Sequence, residues 1–265
     1  MHYRSIFISD LHLGSKHSQA EALLEFMKAH ESDHLFLVGD IIDGWALRRS
    51  WHWPQAHSDV VQKLLRKARK GTRVVYLLGN HDEFLRGFLP LTMGDSVEIA
   101  NEYYYDDARG RSYLVTHGDF FDSITMTKKW LAKFGDISYE LLLKLNHPIN
   151  RIRRLVGYRR FWSLSNFAKQ NIKKAVMFID DYEEVLSSEA RHRSRDGVIC
   201  GHIHKAEMKE MQGIAYMNCG DWVESCTALV EHHDGRWEIL DFSGREEGLL
   251  QPPTAPERAV SGVTP

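Results

Sequence analysis

This chain of 265 residues has no disulfide pattern and no membrane-length apolar run, and we expect no N-terminal leader. Its three cysteines, Cys200, Cys219 and Cys226, form no CxxC pair, so we expect reduced core residues in a cytoplasmic protein. No apolar stretch approaches the roughly 20 residues that a bilayer span needs. The opening residues MHYRSIFISD leave no room for a cleavable signal peptide. The sequence therefore predicts a protein that is soluble or lies on a membrane surface.

Common nucleotide-binding signatures are also missing, since the chain has neither a P-loop nor a dinucleotide-binding glycine fingerprint. It contains no internal repeat. Residues 248–265 are rich in proline, small and polar residues and are predicted to be disordered. The preceding residues, 1–247, are long enough for one large domain with a buried core and an insertion.

Strand and helix patterns alternate in the first third of the chain. Arg4–Ser9, His34–Val38 and Arg73–Leu78 are apolar runs typical of buried strands, while Ser18–His30 and Ser58–Lys70 carry apolar residues at helical spacing. This alternation predicts a parallel sheet with crossover helices. Further short strands are predicted at Val97–Ala100, Tyr113–Thr116, Gly197–Cys200, Ala215–Asn218, Cys226–His232 and Arg236–Asp241.

Five polar blocks follow these apolar runs and read SDLHLG, VGDIID, LGNHDE, THGDFFD and CGHIHK. Side chains two positions apart on a strand exit project to the same side, so the DLH and HIH pairs can each deliver two donors to one place. Two divalent cations need such ligands together with a shared carboxylate, which we assign to Asp40. The predicted metal ligands are Asp10, His12, Asp40, Asn80, His117, His202 and His204.

The order DxH, GDxxD, GNH, a lone His and GHxH resembles the calcineurin-like metallophosphoesterases. The spacing, the tryptophan after GDIID, the HGDxxD form of the fourth block and the helical segment after it look like the bacterial UDP-2,3-diacylglucosamine pyrophosphatases of lipid A synthesis. The resemblance implies an α/β fold, a four-layer α-β-β-α sandwich of two mixed sheets flanked by helices, with a helical cap inserted at about 120–195. It also implies two divalent metal ions, with manganese favoured and iron or zinc as alternatives.

One position departs from the lipid enzymes, which carry arginine directly after the asparagine of the third block. This chain has His81 there, as in the wider superfamily. His81 is expected to face the substrate as the catalytic residue, where an imidazolium could stabilise a phosphoryl oxygen or protonate the leaving group. A purely structural hydrogen bond is the alternative role.

Carboxylates beside the ligands are candidates to orient them, because a ligating or catalytic histidine usually gives its other N–H to a carboxylate or a carbonyl. These candidates are Asp43, Asp82, Asp119 and Asp122. Trp45 either packs its loop or forms a wall for the substrate. Arg48 and Arg49 of the same loop could hold a phosphate, and Trp130 is an aromatic candidate for substrate contact in the insertion.

The insertion is strongly basic. Lys128–Lys174 contains 12 Lys or Arg and two acidic residues, a net charge of +10, although the whole chain carries −2. Interleaved apolar residues make this segment a candidate for peripheral contact with an anionic membrane, and a solvated face or an oligomer contact is the alternative.

Three functions follow from these observations. The first is a metal-dependent hydrolase that splits the phosphoanhydride of a nucleotide-linked lipid, by resemblance UDP-2,3-diacylglucosamine, at the inner membrane surface. The second keeps the metals and acts on a soluble phosphomonoester, phosphodiester or nucleotide. The third is a docking protein for membrane or nucleic acid, which the intact ligand set disfavours.

Overall fold

A computed structural model of the chain describes residues 1–121 and 179–243. In chain order the elements are β1 His2–Ile8, α1 Ala20–Ala29, β2 Glu31–Val38, α2 Gly44–Arg49, α3 Gln55–Arg69, β3 Arg73–Leu77, β4 Leu91–Met93, β5 Val97–Ala100, β6 Glu102–Asp106, β7 Ser112–Thr116, helix α4 at 179–192, β8 Gly197–Cys200, β9 Glu207–Met211, β10 Ile214–Asn218, β11 Thr227–Glu231 and β12 Trp237–Asp241. Short 3-10 turns lie at Glu83–Phe88 and Asp119–Phe121.

The strands form two mixed sheets. The larger has the order β12-β11-β1-β2-β3-β5-β4, with β1, β2, β3 and β5 parallel and the outer strands antiparallel. The smaller has the order β6-β7-β8-β10-β9, with β7, β8 and β10 parallel. The strands predicted from apolar runs are confirmed, and the short β4, β6 and β9 were not predicted.

Three apolar clusters separate four layers. The cluster between α1, α3 and the larger sheet includes the helical face Val60, Leu64 and Ala68, which recurs every four residues. The cluster between the sheets contains Phe7 stacked on Phe36, with ring centroids 4.5 Å apart. A third cluster packs α4 on the smaller sheet. The predicted four-layer α-β-β-α sandwich is therefore confirmed.

One local prediction was wrong. The segment after Asp40 was interpreted as a loop through Arg49, but Gly44–Arg49 form the helix α2. The Asp43 side chain begins this helix by accepting a hydrogen bond from the Ala46 amide at 2.7 Å. A six-residue helix offers too few turns for a periodic apolar pattern, so it was missed.

Other predictions fall on the rest of the chain. The cap boundaries, the domain limit at residue 247 and the disordered tail stay predictions. The sequence pattern of the insertion also predicts helices at Thr127–Phe134, Ile137–Lys144 and Leu164–Arg191, and the first two lie outside the described residues. The predicted helix Leu164–Arg191 is helical over the part that is described. Cys200, Cys219 and Cys226 are buried free thiols, as predicted. Across residues 1–121 and 179–243, no helix combines the length and apolarity needed to cross a bilayer.

Candidate metal centre

The strands of both sheets deliver the predicted ligands to one place. In the larger sheet the ligands Asp10 and His12 follow β1, Asp40 follows β2 and Asn80 follows β3. In the smaller sheet His117 follows β7, while His202 and His204 follow β8. Because parallel strands end at the same edge, each sheet presents its donors on one side. The two edges meet, and the donors converge there.

The donors fall into two groups. Asp10, His12 and His204 each have a ligand atom within 4.8 Å of the other two, and the same holds for Asp40, His117 and His202. Each group combines a carboxylate with two imidazoles, which suits zinc, manganese or iron.

The Asp40 carboxylate lies between the groups. Its Oδ1 accepts the backbone N–H of His81 at 2.8 Å. Its Oδ2 lies 3.4 Å from His117 Nε2 in one group and 3.8 Å from His12 Nε2 in the other. A single oxygen therefore faces both donor groups, which is the position required of a shared ligand.

Several buried side-chain atoms that could bind a metal ion have no hydrogen-bond partner. They include His12 Nε2, Asn80 Oδ1, His117 Nε2 and Asp10 Oδ1, which lies 3.1 Å from His204 Nε2 without making a hydrogen bond. A buried polar atom without a partner costs roughly 1–3 kcal/mol, so such atoms need an explanation. Among the eleven buried side-chain atoms without a partner in the described residues, these four belong to predicted ligands. The unpartnered set therefore fits a pair of cations.

One histidine ligand is oriented by a main-chain carbonyl. His117 Nδ1 donates to the Val38 carbonyl at 2.9 Å, because a carbonyl can only accept. This hydrogen bond places a proton on Nδ1. The other nitrogen, Nε2, faces Asp40 and is the atom that can bind a metal ion.

Buried carboxylates give the site a strong negative potential. Burial alone would lower the pKa of His12, but its contacts with Asp10 and Asp43 raise that pKa to about 10. Burial would likewise lower the pKa of His117, whereas Asp40 and Asp10 raise it to about 10. The carboxylates thus hold protons on imidazoles that a bound cation would have to displace.

The backbone at the ligands is strained. Five of them have positive φ angles: Asp10 at 54°, His12 at 47°, Asp40 at 53°, His202 at 71° and His204 at 54°. Residues other than glycine rarely adopt this conformation, and such strain clusters at functional sites. The left-handed conformation bends the chain sharply where β1, β2 and β8 end, and the ligands there aim inward.

Glycines beside the ligands allow close approach. A Cβ on Gly39 would lie 2.3 Å from His117 Cγ, and one on Gly79 would lie 2.2 Å from Asp40 Oδ1. Alanine at either position would displace a ligand, which explains the glycines of the second and third blocks.

His81 lies against the centre. Its Nδ1 donates to Asp43 Oδ1 at 2.8 Å, and its Nε2 lies 3.8 Å from Asp40 Oδ2. The Trp45 ring covers it at a centroid distance of 4.2 Å. His12 Nδ1 lies 3.5 Å from the other oxygen of Asp43. Asp43 thus holds both rings, and although burial would raise the pKa of its carboxyl, the two histidines lower it.

Asp82 and Asp119 were predicted to accept hydrogen bonds from histidines, but they accept them from other groups. Asp82 accepts the amides of Ile41 and Ile42 at 3.0 and 2.8 Å, and thereby supports the turn after Asp40. Burial and the charge of Asp40 raise the pKa of Asp82 to about 6. Asp119 accepts from Arg86 at 2.6 Å.

Three of the four predicted substrate residues lie in the part of the chain that the structure describes. Trp45 lies on α2 beside His81, and Arg48 and Arg49 are exposed in the last turn of that helix. Asp122 and Trp130 lie outside the described residues.

Sequence reasoning missed two supports of the metal ligands. The Tyr182 hydroxyl, on α4, lies 3.2 Å from the His117 carbonyl and 3.4 Å from the Gly201 carbonyl and can donate to either. Asn218 Nδ2 also donates to the Gly201 carbonyl, at 2.9 Å. Neither residue belongs to a motif, so only the folded chain reveals them.

The chain has recognisable relatives among known proteins. A sequence model of the calcineurin-like phosphoesterase family matches residues 3–206. Two proteins named UDP-2,3-diacylglucosamine hydrolase are each 26% identical: that of Neisseria gonorrhoeae over 85% of this chain and 92% of its own, and that of Psychromonas ingrahamii over 83% and 89%. The solved structure of an archaeal phosphodiesterase is 11% identical, covers 89% of this chain and 98% of its own, and has a TM-score of 0.43.

Asp40→Asn tests the shared ligand, because it keeps the shape of the side chain and removes its charge. We expect loss of at least one of two ions, and an activity lower by about 100-fold or more, since changes even to residues that merely orient ligands cost about 10- to 100-fold. Plasma mass spectrometry measures metal per chain, and bis(p-nitrophenyl) phosphate reports hydrolysis. The control is Asp95→Asn, an exposed residue between β4 and β5. Full metal content and activity in Asp40→Asn would contradict the assignment.

Tyr182→Phe tests the support from α4, because it removes only the hydroxyl that contacts the His117 and Gly201 carbonyls. We expect metal affinity to fall by about tenfold, since hydrogen bonds behind a ligand carry part of its affinity. Titration of metal-depleted protein measures this, and Tyr104→Phe, on the exposed face of β6, is the control. Equal affinities in the two variants would argue against the role.

Proposed function

Because the chain belongs to the calcineurin-like phosphoesterase family, we propose that this metal-dependent phosphohydrolase cleaves the phosphoanhydride of UDP-2,3-diacylglucosamine, giving UMP and 2,3-diacylglucosamine 1-phosphate. The observation that carries the chemistry is the Asp40 oxygen facing two donor groups. The observation that carries the substrate is the likeness to hydrolases of that name over more than four fifths of the chain.

The donor set fits two divalent cations. Asp10, His12 and His204 would hold one, His117 and His202 with Asn80 would hold the other, and Asp40 would contact both. When bound, such a pair lowers the pKa of a water and neutralises phosphoryl oxygens. Manganese is the ion we propose, with iron or zinc as alternatives, since availability as well as ligand type decides.

His81 is positioned to serve the leaving group. Asp43 accepts its Nδ1–H, so Nε2 is the nitrogen that faces the centre. A proton on Nε2 would lie between Asp40 Oδ2 and the substrate oxygen. His81 can therefore deliver a proton to the departing phosphate oxygen, while Trp45 fixes the plane of its ring.

The surroundings of the centre suit an amphipathic substrate. Aromatic side chains are exposed beside the second, third and fourth blocks, namely Trp45, Phe84 and Phe120. On the side of His204 the surface is a polar pocket lined by Asp221, Glu224 and Ser225 among others. Exposed aromatic side chains beside three of the ligand blocks and a polar pocket next to His204 support a substrate with an acyl part and a hydroxyl-rich part.

The proposal has a consequence for location. A lipid substrate lies at a membrane surface, so we propose a cytoplasmic protein that works at the inner membrane. The basic segment Lys128–Lys174, outside the described residues, is the proposed contact with anionic lipid.

A soluble phosphate ester is the second candidate. It is favoured by His81, which stands where the lipid enzymes carry arginine. A histidine has less reach and fewer donors than a guanidinium and grips a diphosphate less strongly. The same metal centre would then act on a smaller phosphomonoester or phosphodiester.

A direct assay decides between the two substrates. Protein loaded with manganese is offered UDP-2,3-diacylglucosamine in mixed micelles and, separately, p-nitrophenyl phosphate and bis(p-nitrophenyl) phosphate. We expect release of UMP with kcat/KM at least about 100-fold above that for either soluble ester, because remote binding energy accelerates a cognate substrate. The Asp40→Asn protein is the blank. Turnover of the soluble esters without UMP release would transfer the assignment to the second candidate.

His81→Ala tests proton delivery. For a phosphate ester whose leaving group needs a proton to depart, we expect kcat to fall by about 100-fold or more, which is typical for loss of a general acid. The loss should be much smaller for p-nitrophenolate, which departs without a proton. Metal content, measured in parallel, should equal that of the wild type. The same loss with every leaving group, or a missing ion, would refute the role, and Trp45→Phe controls for disturbance of the ring stack.

A further inference from the structure

A second group of metal-binding side chains lies at the other end of the larger sheet. It consists of His2 at the start of β1, Asp33 on β2 and His233, two residues beyond the end of β11. The strands β11, β1 and β2 are neighbours in that sheet. Eight residues of extended chain separate His2 from Asp10, so at 3.3 Å per residue the group lies roughly 26 Å from the metal centre.

The three side chains are close enough to share one ion. A ligand atom of each lies within 4.8 Å of the other two. His2 Nδ1 is 3.2 Å from His233 Nε2, and the rings are stacked. The Asp33 oxygens lie 3.4 Å from His2 Nε2 and 3.8 Å from His233 Nδ1. Donors around tetrahedral zinc stand roughly 3.3 Å apart, so only small rotations of exposed side chains are needed.

The backbone under this group is fixed. The Glu31 amide donates to the Met1 carbonyl at 2.9 Å, and His2 pairs with Glu31 in the register of β1 and β2. The turn that carries His233 is closed by a hydrogen bond from the Gly235 amide to the His232 carbonyl at 2.9 Å. The backbone therefore loses little conformational freedom when the side chains bind an ion, which favours affinity.

We propose that His2, Asp33 and His233 bind one divalent transition-metal ion, with zinc as the best match. Two imidazoles and a carboxylate suit zinc, cobalt or nickel and disfavour magnesium and calcium, which prefer oxygen ligands. All three side chains are about half exposed, so water completes the coordination sphere. The ion links the first two parallel strands to the β11–β12 turn. This site is independent of the proposed function, since none of its residues belongs to the metal centre.

The competing description is a surface cluster held only by hydrogen bonds. One of the rings of His2 and His233 then donates a hydrogen bond to the other, and Asp33 contacts both. The two descriptions differ in zinc stoichiometry, because a hydrogen-bonded cluster adds no equivalent beyond those of the metal centre.

Zinc binding to the full chain, with any purification tag removed, tests the proposal. Metal-depleted wild type, Asp40→Asn, His233→Asn and Asp33→Asn are dialysed against buffered free Zn²⁺ from nanomolar to micromolar concentrations. Plasma mass spectrometry then gives zinc per chain. We expect one equivalent more in the wild type than in His233→Asn or Asp33→Asn, and we expect Asp40→Asn to keep that equivalent.

The neighbouring histidine supplies a matched control. His232 donates to Glu238 at 2.8 Å and lies outside the group, so His232→Asn should bind as much zinc as the wild type. A second readout is thermal stability. Saturating zinc should raise the melting temperature of the wild type by about 5 °C more than that of His233→Asn, because a ligand stabilises the fold that binds it.

Three outcomes overturn the proposal. The first is a wild type that takes up no equivalent beyond its metal centre. The second is an extra equivalent that persists in both His233→Asn and Asp33→Asn. The third is an extra equivalent that is lost equally in His232→Asn.

Discussion

The buried negative charge around Asp40 is the constraint on which the site depends. Asp10, Asp40 and Asp43 are nearly inaccessible to water and lie within reach of the same histidines. Buried carboxylates cost several kcal/mol each unless cations or hydrogen bonds compensate them. The same carboxylates favour protonated imidazoles, which explains the raised pKa values of His12 and His117. Two cations would replace those protons and satisfy donor atoms that otherwise have no partner.

Strain is the means by which the strands hold this arrangement. A strand that simply continued would carry its ligands beyond the edge at which the two sheets meet. The positive φ angles at Asp10, Asp40 and His202 turn the backbone at the strand exits. Each such turn is unfavourable for a residue with a Cβ, and it persists because packed sheets lie directly behind it. The glycines at 39 and 79 complete the arrangement by leaving room for a ligand of another loop.

The sequence contained most of the fold and the donor set, for identifiable reasons. Apolar runs predicted the core strands, and the two-residue spacing of Asp10 and His12 predicted that both bind metal at one place. Tyr182 could not be predicted, because it acts through its hydroxyl on main-chain carbonyls and the chain gives no signal for that contact. Asp82 was predicted to serve a histidine, yet it binds the amides of Ile41 and Ile42. A carboxylate near a ligand in sequence can support either a ring or a turn, and only geometry distinguishes them.

The origin of the ligands couples metal binding to the packing of the sheets. One donor group takes Asp10 and His12 from the larger sheet and His204 from the smaller, and the other takes Asp40 from the larger and His117 and His202 from the smaller. Each ion would therefore be held by both sheets at once. A displacement of one sheet along the other would break both groups together, so affinity for the ions and the interface built on Phe7 and Phe36 must stabilise one another. The geometry of the metal centre thus depends on how the two sheets pack, and not only on the loops at the ends of the strands.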